Sequence, residues 1–217
     1  MFNTNLSDII VRVPALLIAF AFHEWAHAKM ADYFGDPTPR SQGRLSLNPL
    51  VHLDIIGTLM VLMANFGWAK PVQTNPAYYR GNKRRADLLV SVAGVAMNLL
   101  IAFVVLIIYK LVLYFSGGDG YARQLLDVLD EIVVLNIILG IFNLFPIPPL
   151  DGFHVLADIL PEELAANLYR FERYGTLLLL LIIVTPVAGY ILGPVFGVIY
   201  TFFNLITNGL LGLFGVS

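Results

Sequence analysis

The chain has 217 residues, 58% of them hydrophobic and only 13% charged, with 13 Lys and Arg against 15 Asp and Glu. A soluble domain carries roughly 25% charged residues, so this composition excludes a water-coated globule, a disordered chain and a nucleic-acid binder, and points to the lipid bilayer as solvent. The absence of cysteine excludes disulfides, thiolate zinc sites, Cys nucleophiles and iron–sulfur clusters, so any metal must take N and O ligands.

In chain order, the first apolar segment, residues 7–30, reads as a retained helix, because no small-residue cleavage site follows it. Arg12 near its start can snorkel to the interface. Residues 32–54 form a loop broken by Gly35, Pro37, Pro39, Gly43 and Pro49. Residues 55–66 are apolar but only 12 long, too short to span and suited to a re-entrant or interfacial segment. Residues 67–85 are polar and basic, and the stretch WAKPVQTNPAYY alternates enough for short strands. The 28-residue apolar run at 88–115 is long enough to cross with tilt. A turn at 116–120 leads into a further span, 125–144, which ends in NLFPIPPLDG, where the prolines must unwind the helix. Residues 153–173 are polar and predict a short amphipathic surface helix. Residues 174–214 are one apolar block, which Pro186, Gly189, Gly193 and Pro194 divide into two spans or a kinked hairpin.

The expected fold is therefore an all-α polytopic membrane protein. It has about five transmembrane helices plus a re-entrant, β-containing membrane-associated segment. The length suits one membrane-embedded domain over 1–217, with a core over about 7–155 and a C-terminal helical hairpin over about 174–214. Ten of the 13 positive charges fall at the end of the first span, within 32–87, or within 153–173. If 55–66 re-enters, these places share one side, which the positive-inside rule makes cytoplasmic, with the N-terminus outside.

The first span contains His23-Glu24-Trp25-Ala26-His27. Two histidines at i and i+4 stack on one helix face and can share a metal ion, and the adjacent Glu24 can act as general base and then acid. Ionisable residues inside an apolar helix are costly in lipid and so mark function. Zinc needs a third protein ligand, for which Asp32, Asp36, Asp54, His52, Asp151 and His154 are candidates. Asp32 and Asp36 lie on the loop beside the motif and read as water-facing. Asp151 follows the broken end of a span that descends in the same direction as the first, so it ends at the same depth as HEWAH. Broken helix at membrane depth is tolerated where it lines a cavity. Asn143, eight residues earlier in that span, either bonds a neighbouring helix or points at the metal as a donor to an oxyanion. Ser91, Gly94 and Asn98 form a small-residue face for close helix packing, with a second-shell role at the metal as the alternative for Asn98. His52 and His154 read as interfacial hydrogen-bonding residues, with a second-shell role at the metal as the alternative for each. Trp68, Tyr78 and Tyr79 read as an interfacial aromatic belt, or else as a platform for an extended substrate.

Taken together, HEWAH in a membrane helix, GxxxN from Gly94 to Asn98, and NxxPxPPLDG from Asn143 to Gly152 resemble the site-2 protease family of intramembrane zinc metalloproteases. SLNPLVHLDIIGT and GWAKPV resemble the intervening segments of its compact bacterial and archaeal members, which lack PDZ or CBS domains. The resemblance covers about residues 10–155. It implies one zinc per chain on His23, His27 and Asp151, with Glu24 as general base and acid and Asn143 near the oxyanion. It also implies a membrane-inserted β-rich segment. The expected function is a zinc endopeptidase that cuts transmembrane helices of membrane proteins near the cytoplasmic side. A non-catalytic zinc-binding membrane protein and a metal or proton transporter are the alternatives. The sequence leaves the substrate and the oligomeric state open.

Overall fold

A computed structural model of the chain describes residues 6–64, 67–118 and 120–216. Helix α1 (Leu6–Tyr33) carries the HEWAH motif. A four-residue turn of helix, α2 (Thr38–Ser41), and a 3₁₀ turn at Pro49–His52 occupy the loop that follows. Helix α3 (Ile55–Ala64) starts at Asp54, whose carboxylate accepts the Gly57 amide at 2.8 Å. Helix α4 (Lys83–Ser116) is capped at its start by Asn82, which accepts the Arg85 amide. At its end it stops at Gly117 in the left-handed conformation. Helix α5 (Tyr121–Asn143) runs back to the proline cluster, where Pro146, Pro148 and Pro149 supply no amide to continue it. Then come α6 (Asp151–Ile159), α7 (Glu162–Arg170), α8 (Glu172–Val184) and α9 (Val187–Gly212), the last two divided at Pro186.

Helices α1, α4 and α5 pack on one another, α6 lies on α4, and α9 lies against α4 and α5. Apart from His23, Glu24 and His27, the buried residues of α1 are alanines, of which Ala15, Ala19, Ala28 and Ala31 are fully enclosed. Small residues let helix backbones approach closely, and here they bring α4 against the histidine face of α1. Between α4 and α5 the filling is larger, with Ala102, Leu106, Val133, Ile137 and Ile141.

Among the described residues, the all-helical expectation holds and no strand forms. The β-containing segment is thereby corrected: the pairing reduces to one antiparallel bridge, Leu53 to Ala69. Pro71 and Pro76 contribute no amide to a ladder, and the amides of Val72 and Asn75 go to carboxylates instead of to a neighbouring strand. The short apolar run at 55–66 is helical over α3, and residues 65–66 lie outside the described residues. The surface helix expected over 153–173 is two helices, α6 and α7. Among the described residues, α4 and α9 are long and apolar enough to cross a membrane. Helices α1 and α5 are also long but carry charges within their length: Asp8, Arg12, Glu24, Lys29 and Asp32 in the first and Arg123, Asp127, Asp130 and Glu131 in the second. Arg12 pairs with Glu131 across these two helices at 3.2 Å.

Candidate active site

Helical spacing stacks His23 and His27, and the broken turn after α5 delivers Asp151 to them at the first position of α6. The chain can double back so tightly only because residue 152 is glycine. A Cβ there would collide with the Leu144 carbonyl and lie 2.6 Å from the Phe145 oxygen. The His23 and His27 Nε2 atoms are 3.0 Å apart, and each faces Asp151 Oδ2, at 3.2 and 3.3 Å. Two donors at about 2.0–2.1 Å from one tetrahedral zinc are about 3.3 Å apart, so this triangle has the size of one face of a zinc site. Asp151 Oδ2 is buried and has no other hydrogen-bond partner among the described residues, as expected of an atom directed at an ion. His27 Nδ1–H donates to the Val90 carbonyl at 2.8 Å, which fixes the tautomer that leaves Nε2 free to ligate.

All three groups open onto a cavity of about 490 Å³. Glu24 lines it as well, only 9% exposed, and its Oε2 accepts the Val72 amide at 2.8 Å. Asn143 is also in the wall; its Nδ2 donates to the Leu139 carbonyl at 3.1 Å, which leaves a second N–H uncommitted to that bond. His154 lines the cavity too, its ring against Phe153 and Tyr169.

The other sequence candidates lie elsewhere. His52 is fully buried with Nε2 2.7 Å from the Ser46 carbonyl oxygen, and it is not part of the cavity wall. Asn98 is enclosed beside Gly140, and its amide has no hydrogen-bond partner among the described residues. Asp36 does not face water: it is fully buried and accepts the amides of Thr38 and Asn75. Only Asp32 stays at the surface, paired with Arg40. Tyr79 leaves the aromatic belt for a core cluster with Ala31, Ala86 and Val90, and burial pushes its hydroxyl up to about 12. Gly94 proved more than a packing residue, because it lies directly against both imidazoles.

These observations coincide with a match of the sequence profile of Peptidase family M50 to residues 12–185. The chain belongs to peptidase family M50. A Bacillus subtilis relative named as the zinc metalloprotease YwhC is 40% identical over 186 residues, covering 84% of each chain. A Mycobacterium tuberculosis relative named as the zinc metalloprotease Rip2 is 28% identical over 204 residues, covering 90% of this chain and 74% of its own. Rip2 of Mycolicibacterium smegmatis is 27% identical over 180 residues, or 82% of this chain and 68% of the relative. No solved structure matches the chain. Membership makes this M50 protein a zinc metalloendopeptidase, and the His23–His27–Asp151 triangle is the place among the described residues that fits the ion.

Burial and the nearby carboxylate of Asp87, a cavity-wall residue, push the Asp158 carboxyl of α6 up to about 6, against the pull of Arg84. A carboxyl whose folded pKa is raised costs stability as it ionises. Stability of this M50 peptidase should therefore fall as pH rises from about 4, the unfolded value, to above 6. Asp158→Asn should raise the Tm at pH 7 and leave it unchanged at pH 3.5, read by thermal unfolding in detergent.

Proposed function

We propose that this M50 peptidase crosses the membrane about five times as one embedded unit and cuts transmembrane helices near the cytoplasmic side. None of the most apolar stretch of α9 is buried inside the protein, and Val198 and Leu205 are 70% and 71% exposed. Such a surface is unsuited to water and suited to lipid. The clustering of Lys and Arg at the HEWAH end of α1, in residues 32–87 and in residues 153–173 supports a cytoplasmic site and an external N-terminus. The observation that carries the reading is the His23–His27–Asp151 triangle, with Glu24 in the same cavity among long apolar helices. Family membership favours this over the transporter and scaffold alternatives.

His23, His27 and Asp151 hold the zinc. When bound, it polarises the scissile carbonyl and lowers the pKa of the attacking water. Glu24 takes a proton from that water and passes it to the leaving amine. The uncommitted N–H of Asn143 donates to the oxyanion that develops on the carbonyl. A transmembrane helix hides its carbonyls in internal hydrogen bonds, so the substrate must unwind to enter the cavity, and helix-breaking residues near the cut favour cleavage.

The test is to co-reconstitute the protein with single-span membrane proteins and map the products by mass spectrometry. The expected cut falls inside the apolar segment near its cytoplasmic end. Cuts confined to water-exposed loops would refute the intramembrane reading.

A further inference from the structure

The segment from Ala69 to Asn75 lines the active-site cavity through Ala69, Pro71, Val72 and Thr74 and is held by buried polar groups. Beside the Leu53–Ala69 bridge, the Lys70 amide donates to the His52 carbonyl at 2.8 Å. The Lys70 carbonyl accepts from the Arg44 guanidinium at 3.3 Å. Two residues on, the Val72 amide donates to Glu24 Oε2 at 2.8 Å. Three further on, the Asn75 amide donates to Asp36 Oδ2 at 2.7 Å, while Asp36 Oδ1 accepts the Thr38 amide at 2.9 Å. Arg44 is 4% exposed and Asp36 and His52 are fully buried, so these anchors are enclosed. Asp36 and Arg44 are not part of the cavity wall and bond the segment at Asn75 and Lys70.

We infer that the backbone amide of Val72 positions Glu24 for proton transfer, and that Asp36 and Arg44 are positioning residues that hold this amide in place. The inference rests on Glu24 being the general base. A glutamate side chain has several rotatable bonds, and a base must stay within hydrogen-bond reach of its proton. The two carboxylate oxygens offer about four lone-pair sites, so fixing Oε2 on the Val72 amide leaves Oε1 for the water. A charge-assisted bond from a backbone donor is short and directional. The donor is main chain, carried by a segment clamped at residues 70 and 75. Pro71 lacks an amide, so the Val72 amide is the one that reaches Glu24.

Two arms test this. In the first, Val72→Pro removes the amide hydrogen and Val72→Ala keeps it. With zinc content equal, the proline variant should show a kcat roughly 10- to 100-fold below the alanine variant, the usual cost of losing a group that orients a reacting one, with similar KM. Equal kcat in zinc-loaded, folded protein would overturn the proposal.

The second arm decides if the proline variant fails to fold or to hold zinc. Hydrogen exchange of the Val72 amide is compared between wild type and Glu24→Ala. Exchange at Val72 should speed up in Glu24→Ala, while the Lys70 and Asn75 amides, bonded elsewhere, keep their protection. Unchanged exchange at Val72 in an inactive Glu24→Ala overturns the positioning role and leaves the base assignment standing. A Glu24→Ala that still cleaves overturns the base assignment itself.

Discussion

Gly94→Ala is expected to empty the metal site while leaving α4 helical. A Cβ at this position would lie 2.6 Å from His23 Cε1 and 2.8 Å from His23 Nδ1, and closer still to His27 Nε2. Neither ring can retreat cheaply. His27 is tethered to the Val90 carbonyl, and both rings also face Asp151 through Nε2. Alanine is a better helix former than glycine by about 1 kcal/mol, so the substitution favours α4 itself. Overpacking costs roughly 1–3 kcal/mol, and here it falls on the two rings proposed as zinc ligands. Circular dichroism should therefore be unchanged while metal analysis finds the zinc gone. A Gly94→Ala protein that keeps its zinc would show that α4 and α1 have room this packing does not provide.

Glu24→Gln is expected to remove cleavage without removing zinc. The substitution keeps the side chain's shape and an oxygen that can accept the Val72 amide, so the 69–75 segment stays in place. It deletes the proposed proton acceptor, and general base catalysis contributes roughly 10²–10⁴-fold. A fall of that order in kcat at unchanged zinc content is the expected result. Near-normal kcat would move the base to another titratable group in the cavity wall, of which Asp87 and His154 are the candidates.

The parts of this site that were legible in the sequence are those set by local periodicity. His23 and His27 share a face because a helix repeats every 3.6 residues, and Glu24 comes with them. Asp151 could be paired with them because prolines end α5 at a definable depth. The long apolar runs marked α4 and α9 for the same reason. What stayed hidden depends on contacts between distant positions. Gly94 reads as an ordinary small residue until α4 is laid on α1. The bond from Val72 to Glu24 joins residues 48 apart, and nothing in either neighbourhood announces it. Asp36 was misjudged because a loop aspartate beside glycine and proline usually faces water, whereas here two backbone amides compensate its burial. The strands expected in WAKPVQTNP failed for a related reason: polar alternation suited an extended backbone, but its hydrogen bonds went to carboxylates. Tyr79 followed its aromatic bulk into the core and not its phenol to the interface.

The central claim is that His23, His27 and Asp151 together hold one zinc. Metal analysis of the purified wild type and of Asp151→Ala, each checked for intact helicity, tests it most directly. The account predicts one zinc per wild-type chain and its loss on dialysis from Asp151→Ala, since two histidines alone leave a three-ligand site incomplete. A folded Asp151→Ala protein that retains a full zinc through dialysis would contradict it.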